Sequence, residues 1–197
     1  MPMSALISKL WKRLMLSRTA FANRHGKLRM VYMLDDPWEM ASDREQHRFA
    51  QTNAQLAAIQ PHYASILELG SGEGHQSLFL QQLCDRLSGV ELSERAVERA
   101  RQRCPTARFV VGGVDDAAAL FPGERFDLVT ACEVLYYASE PAAILAALQQ
   151  RSPRIYVSAY RLRFDQMRHL FNGPGWRSLP TITHGDTIWD CAIWEAA

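Results

Sequence analysis

The chain has 197 residues, 48% of them hydrophobic, with 22 basic and 21 acidic side chains and a formal net charge of +1. That length suffices for one α/β domain with a substantial core, and the ordinary composition gives no sign of disorder across the body. A charge near zero argues against nucleic acid as a partner of the molecule as a whole. Seven of the basic residues (Lys9, Lys12, Arg13, Arg18, Arg24, Lys27 and Arg29) precede the first acid, Asp35, so the remainder of the chain is acidic, with 15 basic and 21 acidic side chains. Cys84, Cys104, Cys132 and Cys191 are widely spaced, with no Cys-x-x-Cys pair. They read as reduced, packed thiols of a cytoplasmic protein, and no metal site is expected. No apolar run is long enough for a transmembrane segment, and the start MPMSALISKLWKRLML lacks the uninterrupted apolar stretch of a secretory signal.

In chain order, Leu6, Leu10 and Leu14 recur at helical spacing over residues 4–16, with Ile7 and Trp11 beside them. This basic amphipathic stretch is expected to cap the domain; the same pattern allows weak membrane-surface contact. Asp35-Asp36-Pro37-Trp38 is a turn-like break. Ser42 and Glu45 have capping-box spacing and open a helix to about residue 59, which Pro61 ends. Residues 1–60 are therefore a helical cap or lid, and 61–197 the main domain. Trp38, Gln46, Arg48 and Phe49 could reach a ligand from the lid, though packing alone would explain each. Strands are then expected over 65–69, 86–91, 107–111, 126–131 and 154–159, and helices over 74–84, 94–103 and 141–150. Such alternation builds a parallel sheet with helices on both faces. A short helix over 164–171, the Gly173-Pro174-Gly175 break and two further strands, 176–183 and 188–195, complete the chain. His184-Gly185-Asp186 joins those two strands as a hairpin. The expected fold is α/β: a Rossmann-like, doubly wound, seven-stranded sheet with a C-terminal antiparallel hairpin and an N-terminal helical cap.

The most informative stretch is Ile66-Leu67-Glu68-Leu69-Gly70-Ser71-Gly72-Glu73-Gly74. A strand, an acid and a glycine-rich turn lead into a helix, the arrangement of a nucleotide-type cofactor site. Gly70, Ser71, Gly72 and Gly74 are candidate contacts. His75 stands where the dinucleotide fingerprint needs its last glycine. Glu68 would repel a pyrophosphate but attract the α-ammonium of S-adenosylmethionine. Glu91 ends the next strand about twenty residues on, where such folds place an acid for the ribose hydroxyls. Leu92 follows it, and Gly113 and Val114 border the same site after the third strand.

Ligands in open α/β sheets bind beyond the carboxyl ends of the strands, at the switch in strand order. The loop after the fourth strand, Cys132-Glu133-Val134-Leu135-Tyr136-Tyr137, should therefore border cofactor and acceptor. Glu133 is the best-placed acid to orient or deprotonate an acceptor, and Tyr136 and Tyr137 suit stacking on a sugar or aromatic ring. Methyl transfer from a sulfonium mainly needs alignment, and a neutral amine needs no strong base. Among the histidines, His47 on the lid and His184 in the hairpin read as surface residues.

On "ILELGSGEG", "GVELSERAVERAR", "RFVVGGVDD" and "FDLVTACEVLYYAS" the chain resembles the class I S-adenosylmethionine-dependent methyltransferases. On "MLDDPWEMASDREQHRF" it is similar to the nodulation N-methyltransferases, whose members methylate the free amine of a de-N-acetylated chitooligosaccharide. The resemblance implies S-adenosyl-L-methionine as cofactor and a small-molecule or oligosaccharide amine as acceptor. One departure stands out: where such folds carry an acid in a Gly-Asp-Ala-like turn, this chain has Gly112-Gly113-Val114-Asp115-Asp116, so Asp115 is expected to serve from a shifted position. Other readings stay open: an O-methyltransferase, a cofactor-binding protein without turnover, an NAD-dependent enzyme, or a nucleic-acid methyltransferase. The third is disfavoured by His75, and the fourth by "CEVLYY" where an Asn/Asp-Pro-Pro-Tyr/Phe motif would stand.

Overall fold

The structure, a computed structural model, describes residues 30–196. The amphipathic stretch over 4–16 lies outside them. A long helix, α1 (Asp43–Ile59), precedes the sheet; β1 (Tyr63–Leu69), α2 (Ser77–Leu80), β2 (Cys84–Glu91), α3 (Glu94–Arg103), β3 (Arg108–Val111), α4 (Ala117–Leu120) and β4 (Leu128–Cys132) follow. The chain ends with α5 (Pro141–Gln149), β5 (Arg154–Tyr160), α6 (Arg161–Met167), β6 (Trp176–His184) and β7 (Thr187–Glu195). The seven strands lie in the order β3-β2-β1-β4-β5-β7-β6. The first five are parallel, while β7 runs antiparallel to β5 and to β6. The order reverses between β1 and β4, which puts the ligand crevice beyond Leu69 and Cys132.

The alternation of side chains along the strands builds two cores. Leu67, Leu69, Val129, Ala131, Ile155 and Val157 face a layer containing Leu145, Leu148 and Phe164 from α5 and α6. Ile66, Leu128 and Tyr156 face the other way and pack with Leu56 of α1 and Leu80 of α2. On that second face the strand ends turn polar: Glu68, Thr130 and Ser158 are all buried. Phe49 and Leu56 anchor α1, each about 1.5–3 kcal/mol of hydrophobic stabilisation when fully buried.

Several expectations need correction. The helix expected over 74–84 is only α2 plus a 3₁₀ turn, Gln81–Leu83. Cys84 joins β2 instead, paired with Tyr63, and the Asn53 amide donates to the Phe79 carbonyl at 2.6 Å. The capping box does not form. Ser42 is the N-cap of α1 but makes no side-chain capping bond, and Glu45 ion-pairs with Arg44 and Arg48. α4 was not expected from the sequence; a 3₁₀ turn, Val114–Asp116, leads into it. The helix expected over 164–171 begins earlier, as α6, and ends in a 3₁₀ turn, Arg168–Phe171. The hairpin forms as expected, with Gly185 at φ 56° and His184 paired with Thr187. A bulge between Leu179 and Ile182 follows from Pro180, which has no N–H for the ladder.

Candidate active site

Beyond the carboxyl ends of the strands lies a cavity of about 510 Å³. The turn after β1 shapes its floor. Gly70 has φ 69°, and a Cβ there would collide with Val134, so only glycine lets this turn pass beneath the loop after β4. Gly74 has φ 80° and lies against Ala100 of α3, where a Cβ would come within 3.0 Å of the Ala100 Cα. Gly74 thus packs the loop onto α3 and is not among the residues that line the cavity.

Two of the carboxyls in the wall come from the carboxyl ends of β1 and β2. Glu68 is 4% exposed and accepts a short hydrogen bond from the Ser77 hydroxyl. Burial pushes it up to about 8, against the opposing pull of Ser77 and of the Arg48 guanidinium. Glu91 accepts from the Ser93 N–H at 2.8 Å and the Gly72 N–H at 3.2 Å. Burial raises it to about 7 although those N–H groups favour its charge. Glu91 therefore ties the end of β2 to the glycine turn.

Arg48, from α1, also lines the cavity and is almost wholly buried. Its Nε donates to Glu45 at 2.8 Å and its Nη1 to the Gln76 side chain at 3.2 Å. Burial disfavours its charge, but Glu45, Cys132 and Glu133 outweigh that and raise it above the ordinary arginine range. Gln76 in turn donates to the Cys132 sulfur at 3.2 Å. The lid helix, the glycine turn and the end of β4 are thus joined by one polar chain.

Glu133 follows β4 with φ 54°, a conformation that costs a residue with a Cβ about 1–3 kcal/mol. Its Oε1 accepts from the Tyr160 N–H at 2.6 Å and its Oε2 from the Tyr136 hydroxyl at 2.7 Å. Burial first, then the Glu133 charge and Tyr137, push the Tyr136 phenol far above its ordinary range. The Tyr136 and Tyr137 rings pack at 4.5 Å between centroids with their planes tilted by 48°, and Arg163 lies over Tyr136 at 5.5 Å.

The segment before α1 closes the remaining side. Tyr32, Asp36, Trp38 and Met40 line the cavity. Arg99 of α3 holds this strap: its Nη1 donates to the Leu34 carbonyl at 2.8 Å and to Glu73 at 2.5 Å, and its Nη2 pairs with Asp35 at 2.5 Å. Asp36, Glu73 and His75 bring potential metal ligands within 4.8 Å of one another. Arg99 already supplies the positive charge beside Glu73, whose carboxyl lies below the ordinary range despite burial, through His75 and Arg99.

The cavity brings together Glu68, Gly70, Ser71, Gly72, Glu91, Leu92, Gly113, Val114, Glu133, Tyr136 and Tyr137, with Trp38, Arg48 and Phe49 from the lid. Asp115 lies apart from this group. It is not among the lining residues, and its carboxylate is taken by the Ser139 N–H at 2.9 Å and hydroxyl at 3.2 Å. Gln46 also stays out and donates to the Met40 carbonyl at 2.8 Å. His47 stacks with His184, ring centroids 5.4 Å apart. All four cysteines are free, three of them buried. Sequence reasoning missed Tyr32, Gln76, Tyr160 and Trp189, which also line the cavity. The strand-end rule that found Glu133 could have found Tyr160, the last residue of β5. Tyr32 carried no such signal.

A family model described as Nodulation protein S (NodS) matches residues 20–168. Nodulation protein S of Bradyrhizobium diazoefficiens is 32% identical over 126 residues, a match covering 64% of this chain and 60% of that protein. The chain thus spans less than two thirds of the length of the curated relatives it matches. A ubiquinone biosynthesis O-methyltransferase of Thiobacillus denitrificans is 32% identical over 104 residues, covering 51% of this chain and 42% of that protein. Among solved structures, the N-methyltransferase NodS from Bradyrhizobium japonicum WM9 in complex with S-adenosyl-L-homocysteine aligns with a TM-score of 0.72 at 17% identity, over 87% of this chain and 97% of that one. That likeness establishes the fold.

Proposed function

The chain belongs to the nodulation protein S family, and on that premise we propose that it is an S-adenosylmethionine-dependent methyltransferase acting on a small amine, in its specific form an amino sugar of an oligosaccharide. The observation that carries this reading is one cavity in which buried carboxyls from the ends of β1 and β2, Glu68 and Glu91, stand over a turn that needs glycine. Two carboxyls suit an ammonium and a pair of ribose hydroxyls and repel a pyrophosphate, which favours S-adenosylmethionine over a dinucleotide. Glu91 would hold the ribose, Glu68 the ammonium and Arg48 the carboxylate of the amino-acid portion. Leu92, Gly113 and Val114 would border the adenine. When bound, the cofactor supplies an electrophilic methyl group on a sulfonium.

The chain's own task is then to align a nucleophile and exclude water. Glu133, Tyr136, Tyr137 and Tyr160 offer polar and aromatic surface at the acceptor end. Hydroxyl methylation is the second reading, favoured by the ubiquinone O-methyltransferase relative. It needs a stronger base. Among the described histidines only His75 lines the cavity, and it sits on the glycine turn, 3.7 Å from Glu73. An amine is therefore preferred. We place the protein in the cytoplasm; among the described residues no helix is long and apolar enough to cross a membrane.

The test offers labelled S-adenosylmethionine with de-N-acetylated and with fully N-acetylated chitooligosaccharides. Label should enter the free-amine form alone. Transfer only to a hydroxyl acceptor would overturn the amine reading, and no calorimetric binding of S-adenosylhomocysteine would overturn the methyltransferase reading itself.

A further inference from the structure

Glu133 has the geometry of a carboxylate already spoken for. An ionised carboxylate only accepts hydrogen bonds, and a backbone N–H only donates. The Tyr160 N–H at 2.6 Å therefore fixes Oε1, and the Tyr136 hydroxyl at 2.7 Å must point its single proton at Oε2. With that proton committed, the Tyr136 oxygen is an acceptor toward every other neighbour. The Tyr137 ring packs against that of Tyr136, with centroids 4.5 Å apart. The positive φ of Glu133, 54°, is part of the same arrangement, because it turns the side chain back to the start of α6.

We propose that Glu133 is a positioning residue that sets the direction of a short hydrogen-bond chain, Tyr136 to Glu133, so that Tyr136 presents its phenol oxygen as a hydrogen-bond acceptor to the N–H of the incoming amine. The inference rests on the amine reading above and deepens it. A neutral amine has one lone pair, which must face the methyl group to react. Accepting one of its N–H bonds turns that lone pair toward the reacting carbon. Tyr136 is held neutral by its buried surroundings and by Glu133, so it orients the amine and does not deprotonate it. The amine enters already neutral; transfer would form its C–N bond as the methyl–sulfur bond breaks to leave the thioether, and the methylated ammonium so formed would lose its proton to solvent.

Glu133→Gln tests the direction of the chain. The amide keeps an oxygen for the Tyr160 N–H but turns a donor toward Tyr136, which reverses the Tyr136 hydroxyl. With the free-amine acceptor, kcat should fall about 10²-fold while S-adenosylhomocysteine affinity stays within about twofold. In a Tyr136→Phe background the same substitution should change kcat by less than about twofold, because the chain is already cut. A readout independent of turnover is NMR of tyrosine labelled with ¹³C at Cζ, on the protein with S-adenosylhomocysteine. Glu133→Gln should move the Tyr136 signal, which its loss from the Tyr136→Phe spectrum identifies. An equal loss of kcat in both backgrounds would mean that Glu133 acts directly on the acceptor and would overturn the proposal. So would Cζ signals that ignore Glu133→Gln. A wild-type protein that methylates no amine would defeat the amine reading instead, with the NMR result still deciding the chain.

Discussion

Glu68 and Glu91 were legible as residues because each acid ends a strand beside the glycine turn. Their protonation was not, since it depends on burial, which only the fold sets. Glu68 is pushed up to about 8, chiefly by burial. A carboxyl with a folded value above its ordinary one binds more protons folded than unfolded. Its contribution to stability is therefore best below pH 4.5, its ordinary value, and declines as pH rises to about 8. Glu91, raised to about 7, adds to the same decline. Glu68→Gln should melt at the wild-type temperature near pH 4 and above it at pH 8. Binding should run the opposite way, because the proposed pairing with the ammonium of S-adenosylhomocysteine calls for ionised Glu68. Calorimetry should show affinity weakening by about tenfold per pH unit below pH 8 in the wild type, and much less in Glu68→Gln. Equal slopes in the two proteins would remove Glu68 from the ammonium site.

At the scale of elements, the strands were readable because their alternation follows the two-core sheet, and all five parallel strands lie within a few residues of expectation. Helix ends were less readable. The Ser42–Glu45 spacing matches a capping box, yet Glu45 is drawn inward to neutralise Arg48. Tertiary charge pairing overrode a local signal there. α2 is short for a related reason: sheet pairing of Cys84 with Tyr63 claimed residues whose pattern suited a helix. Two substitutions separate these effects. Ser42→Ala should change stability by less than about 0.5 kcal/mol, because the hydroxyl makes no capping bond. Arg48→Met leaves Glu45, whose side chain is 7% exposed, without its buried partner. Urea unfolding should show a loss of about 3–5 kcal/mol. A small loss for Arg48→Met, or a loss near 1 kcal/mol for Ser42→Ala, would restore the capping box as the feature that anchors α1.

Across the whole molecule, the site draws on the strap before α1, the strand ends and the C-terminal hairpin, from Tyr32 to Trp189. The sheet-borne half was legible, because strand order fixes where strand ends meet. The strap was not, because Tyr32 and Met40 stand in no periodic pattern and are held at the cavity by long-range bonds, those of Arg99 foremost. That guanidinium binds the Tyr32 and Leu34 carbonyls, Asp35 and Glu73, while the Asp36 N–H donates to Glu73 at 3.0 Å. Strap and glycine turn therefore share Glu73, and order in one should be felt by the other. Hydrogen exchange can read this coupling directly, since amides in one cooperative unit slow together. On adding S-adenosylhomocysteine, exchange should slow in residues 32–40 along with 70–76 and 133–137, and stay unchanged along α5. Arg99→Ala removes most of the tie, leaving the Asp36–Glu73 bond, without entering the cavity, because Arg99 is not among its lining residues. In that variant the ligand should still protect 70–76 and 133–137 but leave 32–40 exchanging at about the free rate. Full protection of 32–40 in Arg99→Ala would mean that the ligand itself, and not the Arg99 tie, holds the strap in place.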